Sequence, residues 1–100
     1  MKKKESITSH RAHIFYSGRV QGIGFRYTAE RFALELGLLG WVKNSPDGRV
    51  EVMCEGSKEK IELLIERIRQ SSLGVHIKKT ACEWERATGE FNDFTVEFYF

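Results

Sequence analysis

The hydrophobic period of this chain changes from two to about 3.6 across one glycine-rich junction, which restricts the folds open to it. Ala12, Ile14 and Tyr16 point one way while Arg11, His13, Phe15 and Ser17 point the other. That alternation predicts a strand ending at Gly18. Arg19-Val20-Gln21-Gly22-Ile23-Gly24 follows as a loop. Phe25, Ala29, Phe32, Ala33 and Leu36 then recur at i, i+4, i+7, i+8 and i+11, one stripe of a helix. Gly37 stands where a left-handed C-cap would end it.

A short strand is predicted from Leu39 to Asn44, closed by the turn signal Ser45-Pro46-Asp47-Gly48. Val50, Val52 and Cys54 alternate with Arg49, Glu51 and Met53, so the two strands make a hairpin. Ser57 suits the N-cap of a second helix whose stripe is Ile61, Leu64, Ile65 and Ile68. Val75 and Ile77 are in phase with one another but not with Cys82 and Trp84, and a bulge or loop near Lys78–Ala81 reconciles the halves. Phe94, Val96, Phe98 and Phe100 alternate to the last residue. The order is β-α-β-β-α-β with a terminal strand added. It implies an α/β chain of the α+β kind: a ferredoxin-like sandwich whose mostly antiparallel sheet is covered on one face by two helices.

Composition bounds the function. One hundred residues with 41% hydrophobic and 30% charged make one globular domain, expected over residues 10–100 behind a flexible basic tail at 1–9. A net charge of +2 gives no field that argues for nucleic acid or an anionic membrane. Met1-Lys2-Lys3-Lys4 is followed by Glu5-Ser6-Ile7-Thr8 rather than an apolar run, so a cytoplasmic location is expected. The two cysteines and three histidines lack metal-ligand spacing, and two free thiols suit a reducing compartment.

Two segments carry chemistry. Gly18 to Arg26 takes a strand through a glycine-rich loop into a helix N-terminus, where successive N–H groups can converge on an anion. Arg26, at the rim, can grip two oxygens of one phosphate. The lysine and hydroxyl of a Walker loop and the third glycine of a dinucleotide fingerprint are both missing. Read alone, the segment is equally a tight β–α turn with a surface arginine. Asn44 closes its strand with an amide able to accept from one partner and donate to another, and so to hold a water in a fixed direction. Read alone, it is also a turn-forming asparagine.

Taken together, Gly18-Arg19-Val20-Gln21-Gly22-Ile23-Gly24-Phe25-Arg26 resembles the first signature of the acylphosphatase family. Gly40-Trp41-Val42-Lys43-Asn44, with Gly48-Arg49-Val50 and Gly56, resembles the second at family spacing, and Gly89-Glu90-Phe91 with Phe94 is similar to family C-terminal sequence. Ile23 replaces a common valine, and the basic tail is extra. The resemblance implies hydrolysis of a carboxyl–phosphate anhydride, with acyl phosphate as substrate and inorganic phosphate as product. It implies Arg26 and Asn44 as catalytic residues, and Arg19, Val20, Gln21, Gly22, Ile23 and Gly24 as the substrate-binding loop. It implies no cofactor, no metal, and a monomer.

Other residues have plainer readings. Phe25, Phe32 and Trp41 are expected in the core, Tyr27 at an ordinary helix position with the site mouth as its alternative, and Lys43 and Arg49 on solvated surface beside the site. The rivals are non-catalytic modules of the same fold, binding RNA or a small anion. An RNA-binding sheet needs stacking aromatics on its central strands. The strand Arg49-Val50-Glu51-Val52-Met53-Cys54-Glu55 has none.

Overall fold

The structure, a computed structural model, describes residues 10–98. The expected tail at residues 1–9 and the final alternating position, Phe100, lie outside the described residues. The elements run β1 (His10–Gly18), α1 (Phe25–Glu35), β2 (Leu39–Asn44), β3 (Val50–Gly56), α2 (Lys58–Gln70), a 3-10 turn (Gly74–His76), β4 (Ile77–Arg86) and β5 (Phe94–Glu97). They form one sheet in the order β4-β1-β3-β2-β5. Its pairs are antiparallel except β2 with β5, which is parallel. This is the α+β ferredoxin-like sandwich implied by the alternation.

One face of the sheet carries the core. Ala12, Ile14 and Tyr16 of β1, Val42 of β2, and Val50, Val52 and Cys54 of β3 pack against Phe25, Ala29 and Ala33 of α1 and Ile61, Leu64 and Ile68 of α2. Each fully buried aliphatic side chain of this kind contributes roughly 1.5–3 kcal/mol before conformational entropy is subtracted. The Ser57 hydroxyl accepts from the Lys60 N–H at 3.1 Å and caps α2 as its position predicts. Gly37, at φ 73°, turns the chain out of α1.

The expected irregularity in β4 is a bulge. Gly18 pairs with Ile77 while Ser17 pairs with Lys79, leaving Lys78 without a counterpart on β1. Its extra residue reverses the phase, which is why Cys82 and Trp84 share a face with Ala12 and Ile14. Val75 does not belong to the strand: it lies in the 3-10 turn, 86% exposed. Its apparent phase with Ile77 spans two residues only. Trp41 is likewise outside the helix-covered core. It pairs with Met53, as His13 does, so all three lie on the open face. There Trp41 is half-buried under the Lys43 ammonium, 4.7 Å from the ring centre. Phe32 is half-buried at the rim of the core between Arg31 and Arg67.

The open face is crossed at one end by the β4–β5 connection, which a buried carboxylate holds down. Glu55 accepts from the Arg11 guanidinium at 2.7 Å, the Thr88 N–H at 2.9 Å and the Gly89 N–H at 3.1 Å. Burial alone would raise its pKa, but these donors outweigh it and hold the carboxyl below the ordinary range. The clamp carries the chain across the sheet and sets β5 down beside β2.

Candidate active site

The loop between β1 and α1 is pinned from four sides. Tyr16 and Phe25, at its two ends, are buried with ring centres 4.9 Å apart. Val20 is wholly buried and plugs the loop into the core, so only its backbone is available to a ligand. The Arg19 N–H donates to the His76 carbonyl at 3.0 Å. The Gln21 side-chain amide donates to the carbonyls of Ser45 and Arg49 at 2.8 and 2.9 Å. The fold therefore fixes the loop without using the N–H groups of residues 20–24, none of which has a protein acceptor among the described residues.

Helix geometry adds to this. Gly24 caps α1 at φ 82°, a left-handed conformation that side-chain-bearing residues rarely adopt, and offers no capping side chain. The first turn carries no acidic residue. The positive end of the helix is thus open toward the loop. Because Arg19 spends its N–H on His76, the cradle consists of the N–H groups from Val20 to Gly24, with those of the first turn behind them.

Arg26 leaves α1 in its first turn and is held by the end of β5. Its Nη1 donates to the Glu97 carbonyl at 3.1 Å, and its guanidinium carbon lies 5.0 Å from the centre of the Phe98 ring. One N–H of the planar group is thereby engaged, and the other donors remain for an anion. Asn44 ends β2, half-buried, and its side-chain amide has no protein partner among the described residues. Gly22, Gly24, Phe25, Arg26, Tyr27 and Asn44 enclose a cavity of about 70 Å³. An N–H cradle, a guanidinium and an unpaired amide therefore meet around one small anion-sized space.

A profile of the acylphosphatase family matches residues 12–96. The chain belongs to the acylphosphatase family. The acylphosphatase of Roseiflexus sp. (strain RS-1) is 38% identical, over 86% of this chain and 92% of the relative. That of Acaryochloris marina is 44% identical, over 80% and 85% respectively. The crystal structure of the acylphosphatase from Bacillus subtilis superposes with a TM-score of 0.82 at 32% identity, covering 88% of this chain and 98% of that one.

Within this acylphosphatase, the residues singled out in the sequence do not all approach the cavity in the same way. Arg26, Asn44, Gly22 and Gly24 line it. Arg19, Gln21 and Ile23 instead line a larger groove of about 400 Å³ with His76 and Gly48. The Gln21 side chain is a strut to the hairpin. Lys43 and Arg49 are occupied on the open face, Lys43 over Trp41 and Arg49 4.4 Å over Phe15 while bridging to Asp47 at 2.9 Å. Tyr27 belongs to the site rather than to an ordinary helix position. The Glu97 carbonyl and Phe98 were not legible beforehand. The sequence signal for Phe98 was its place one step beyond a strand, whose parallel partner only the tertiary register reveals.

Proposed function

We propose that this acylphosphatase hydrolyses the carboxyl–phosphate anhydride of small acyl phosphates by in-line attack of water, using Arg26 and Asn44. The observation that carries this reading is the single small cavity shared by the Arg26 guanidinium, the Asn44 amide and the loop glycines. The N–H groups of the Val20–Gly24 loop and the free donors of Arg26 bind the phosphoryl oxygens and neutralise charge that develops on them. The Asn44 carbonyl oxygen accepts a hydrogen bond from the attacking water and so orients a lone pair toward phosphorus.

Water oxygen bonds to phosphorus as the bond from phosphorus to the bridging oxygen breaks. The carboxylate departs with that electron pair. Asparagine cannot take a proton, so the water's proton passes to a phosphoryl oxygen, and the products are carboxylate and inorganic phosphate. Because a carboxylate is a good leaving group, positioning and charge neutralisation suffice.

The reading as an RNA-binding or other non-catalytic module is not favoured. The aromatics of the open face, Phe15 and Trp41, are each already covered by a cation. We further read the protein as a cytoplasmic monomer, with one domain over residues 10–100 behind a basic tail; its two unbridged thiols suit a reducing compartment. The deciding experiment is phosphate release from acetyl phosphate with chelator present. Undiminished turnover is expected, and no release above the spontaneous rate overturns the reading.

A further inference from the structure

The enclosed cavity, at about 70 Å³, is far smaller than the roughly 300–1,000 Å³ of pockets that engulf whole organic ligands. It has room for a phosphoryl group and its water. The acyl group of any substrate must therefore project beyond it, onto whatever surface rims the mouth.

That rim is aromatic. Tyr27 lines the cavity itself and is 57% exposed. Phe98 is 56% exposed, and its ring centre lies 6.4 Å from that of Tyr27 at an interplanar angle of 54°. The parallel pairing of β2 with β5 runs from Gly40 with Phe94 to Lys43 with Glu97. One further step places Phe98 beside Asn44, on the face shared with Val42 and Phe94. The two rings thus border the asparagine and the arginine together. Single exposed apolar side chains are ordinary on protein surfaces, but two adjoining aromatic rings against an anion site are not needed to bind phosphate alone.

We propose that the acyl group rests against Tyr27 and Phe98, and that the enzyme prefers acyl phosphates whose acyl group is aromatic or extended and apolar. This rests on the phosphoryl site assigned above. The competing course for the acyl group is the groove of about 400 Å³ on the other side of the loop, where Ile23 and His76 lie. It is disfavoured because Ile23 does not reach the cavity that holds Arg26 and Asn44, whereas Tyr27 does.

The test compares kcat/KM for benzoyl phosphate and acetyl phosphate, and inhibition by inorganic phosphate, in the parent and in Tyr27→Ser, Tyr27→Phe, Phe98→Ser and Ile23→Ser. The parent is expected to favour benzoyl phosphate. Tyr27→Ser and Phe98→Ser should each lower the benzoyl-to-acetyl ratio by roughly 3- to 10-fold, the range of an aromatic contact, chiefly through KM for benzoyl phosphate. Tyr27→Phe should keep the ratio. Inhibition by phosphate reports the Arg26 site separately, because Phe98 also touches that arginine. An unchanged ratio in Tyr27→Ser overturns the inference, as does a ratio that falls in Ile23→Ser instead. A parent that hydrolyses neither substrate overturns the acyl phosphate reading itself.

Discussion

The side-chain amide of Gln21 donates to the Ser45 carbonyl at 2.8 Å, and to the Arg49 carbonyl at 2.9 Å, so the anion loop is tied to the turn that follows Asn44. Two segments that bind and aim are thereby held as one unit. The same turn is closed by the Gly48 N–H donating to Ser45 and by the Ser45 N–H donating to Arg49. Gln21→Leu removes both struts and is expected to cost about 1–2 kcal/mol of stability. Its larger effect should be on kcat/KM, a loss of roughly 10- to 100-fold, because misplacing a reacting group by about an ångström has that scale of consequence. Denaturant titration and steady-state kinetics on the same preparation check this, and a fully active variant would dismiss the strut.

The two cysteines cannot meet. Cys54 lies opposite Ala12 and Cys82 opposite Ile14, so β1 stands between their strands. Two inter-strand steps amount to roughly 9–10 Å, beyond the reach of about 7 Å for a disulfide. Burial pushes the Cys54 thiol up to about 12 and raises that of Cys82 as well, so both are poor nucleophiles at neutral pH. Thiol titration is expected to be slow in the native protein and to find two free thiols after unfolding without reductant. Fewer than two would contradict the strand order.

Much of this architecture can be read from local pattern. Ala12, Ile14 and Tyr16 announce their face because β1 is covered on one side only, and the Gly24–Arg26 junction announces itself because the period changes there. Trp41 could not be assigned the same way. Its strand is short, and either of its two alternating sets looks apolar. Arg26 was legible as an anion ligand, but its support was not: the Glu97 carbonyl is 71 residues away and reaches it only through a parallel pairing. Glu55 shows the same limit. An acidic residue at a strand end reads as surface until Arg11 and the Thr88–Gly89 backbone close over it.

That clamp predicts an acid response. The Glu55 carboxyl is held below its model value of 4.5, so the clamp stabilises the fold fully above the unfolded-state value and loses that contribution as pH falls through the lower folded-state value. Glu55→Gln keeps the shape but removes the charge facing Arg11, which retains Glu90 at 2.8 Å. The substitution should cost about 2–3 kcal/mol at neutral pH, with the difference from the parent shrinking in acid. Thermal unfolding between pH 7 and pH 3 measures it. A constant difference across that range would remove Glu55 as its source.

Arg26 is expected to act as the phosphate anchor. Arg26→Ala should lose affinity for inorganic phosphate and turnover together, on the scale of ~2–5 kcal/mol for removing one partner of a desolvated charge pair. Arg26→Lys should remain poor, because an ammonium cannot reproduce a planar contact with two oxygens while also holding the Glu97 carbonyl. Calorimetric titration with phosphate decides the matter. Parental affinity in the alanine variant would assign the anchor to the loop N–H groups alone.

Asn44→Ala should separate aiming from binding. The loop N–H groups and Arg26 are supplied by β1, α1 and the end of β5, so they survive the loss of a side chain on β2. Phosphate affinity is therefore expected to change little, while kcat falls by on the order of 10²–10³, the cost of one positioned polar group in a preorganised site. Asn44→Asp should not restore the rate by offering a base. A carboxylate facing phosphoryl oxygens across so small a cavity repels the substrate, and KM should rise as well. Phosphate calorimetry paired with acyl phosphate turnover in chelator resolves the outcomes. Near-parental turnover in Asn44→Ala would remove this residue from the mechanism, and matched losses of affinity and rate would make it a second anchor rather than the group that directs the water.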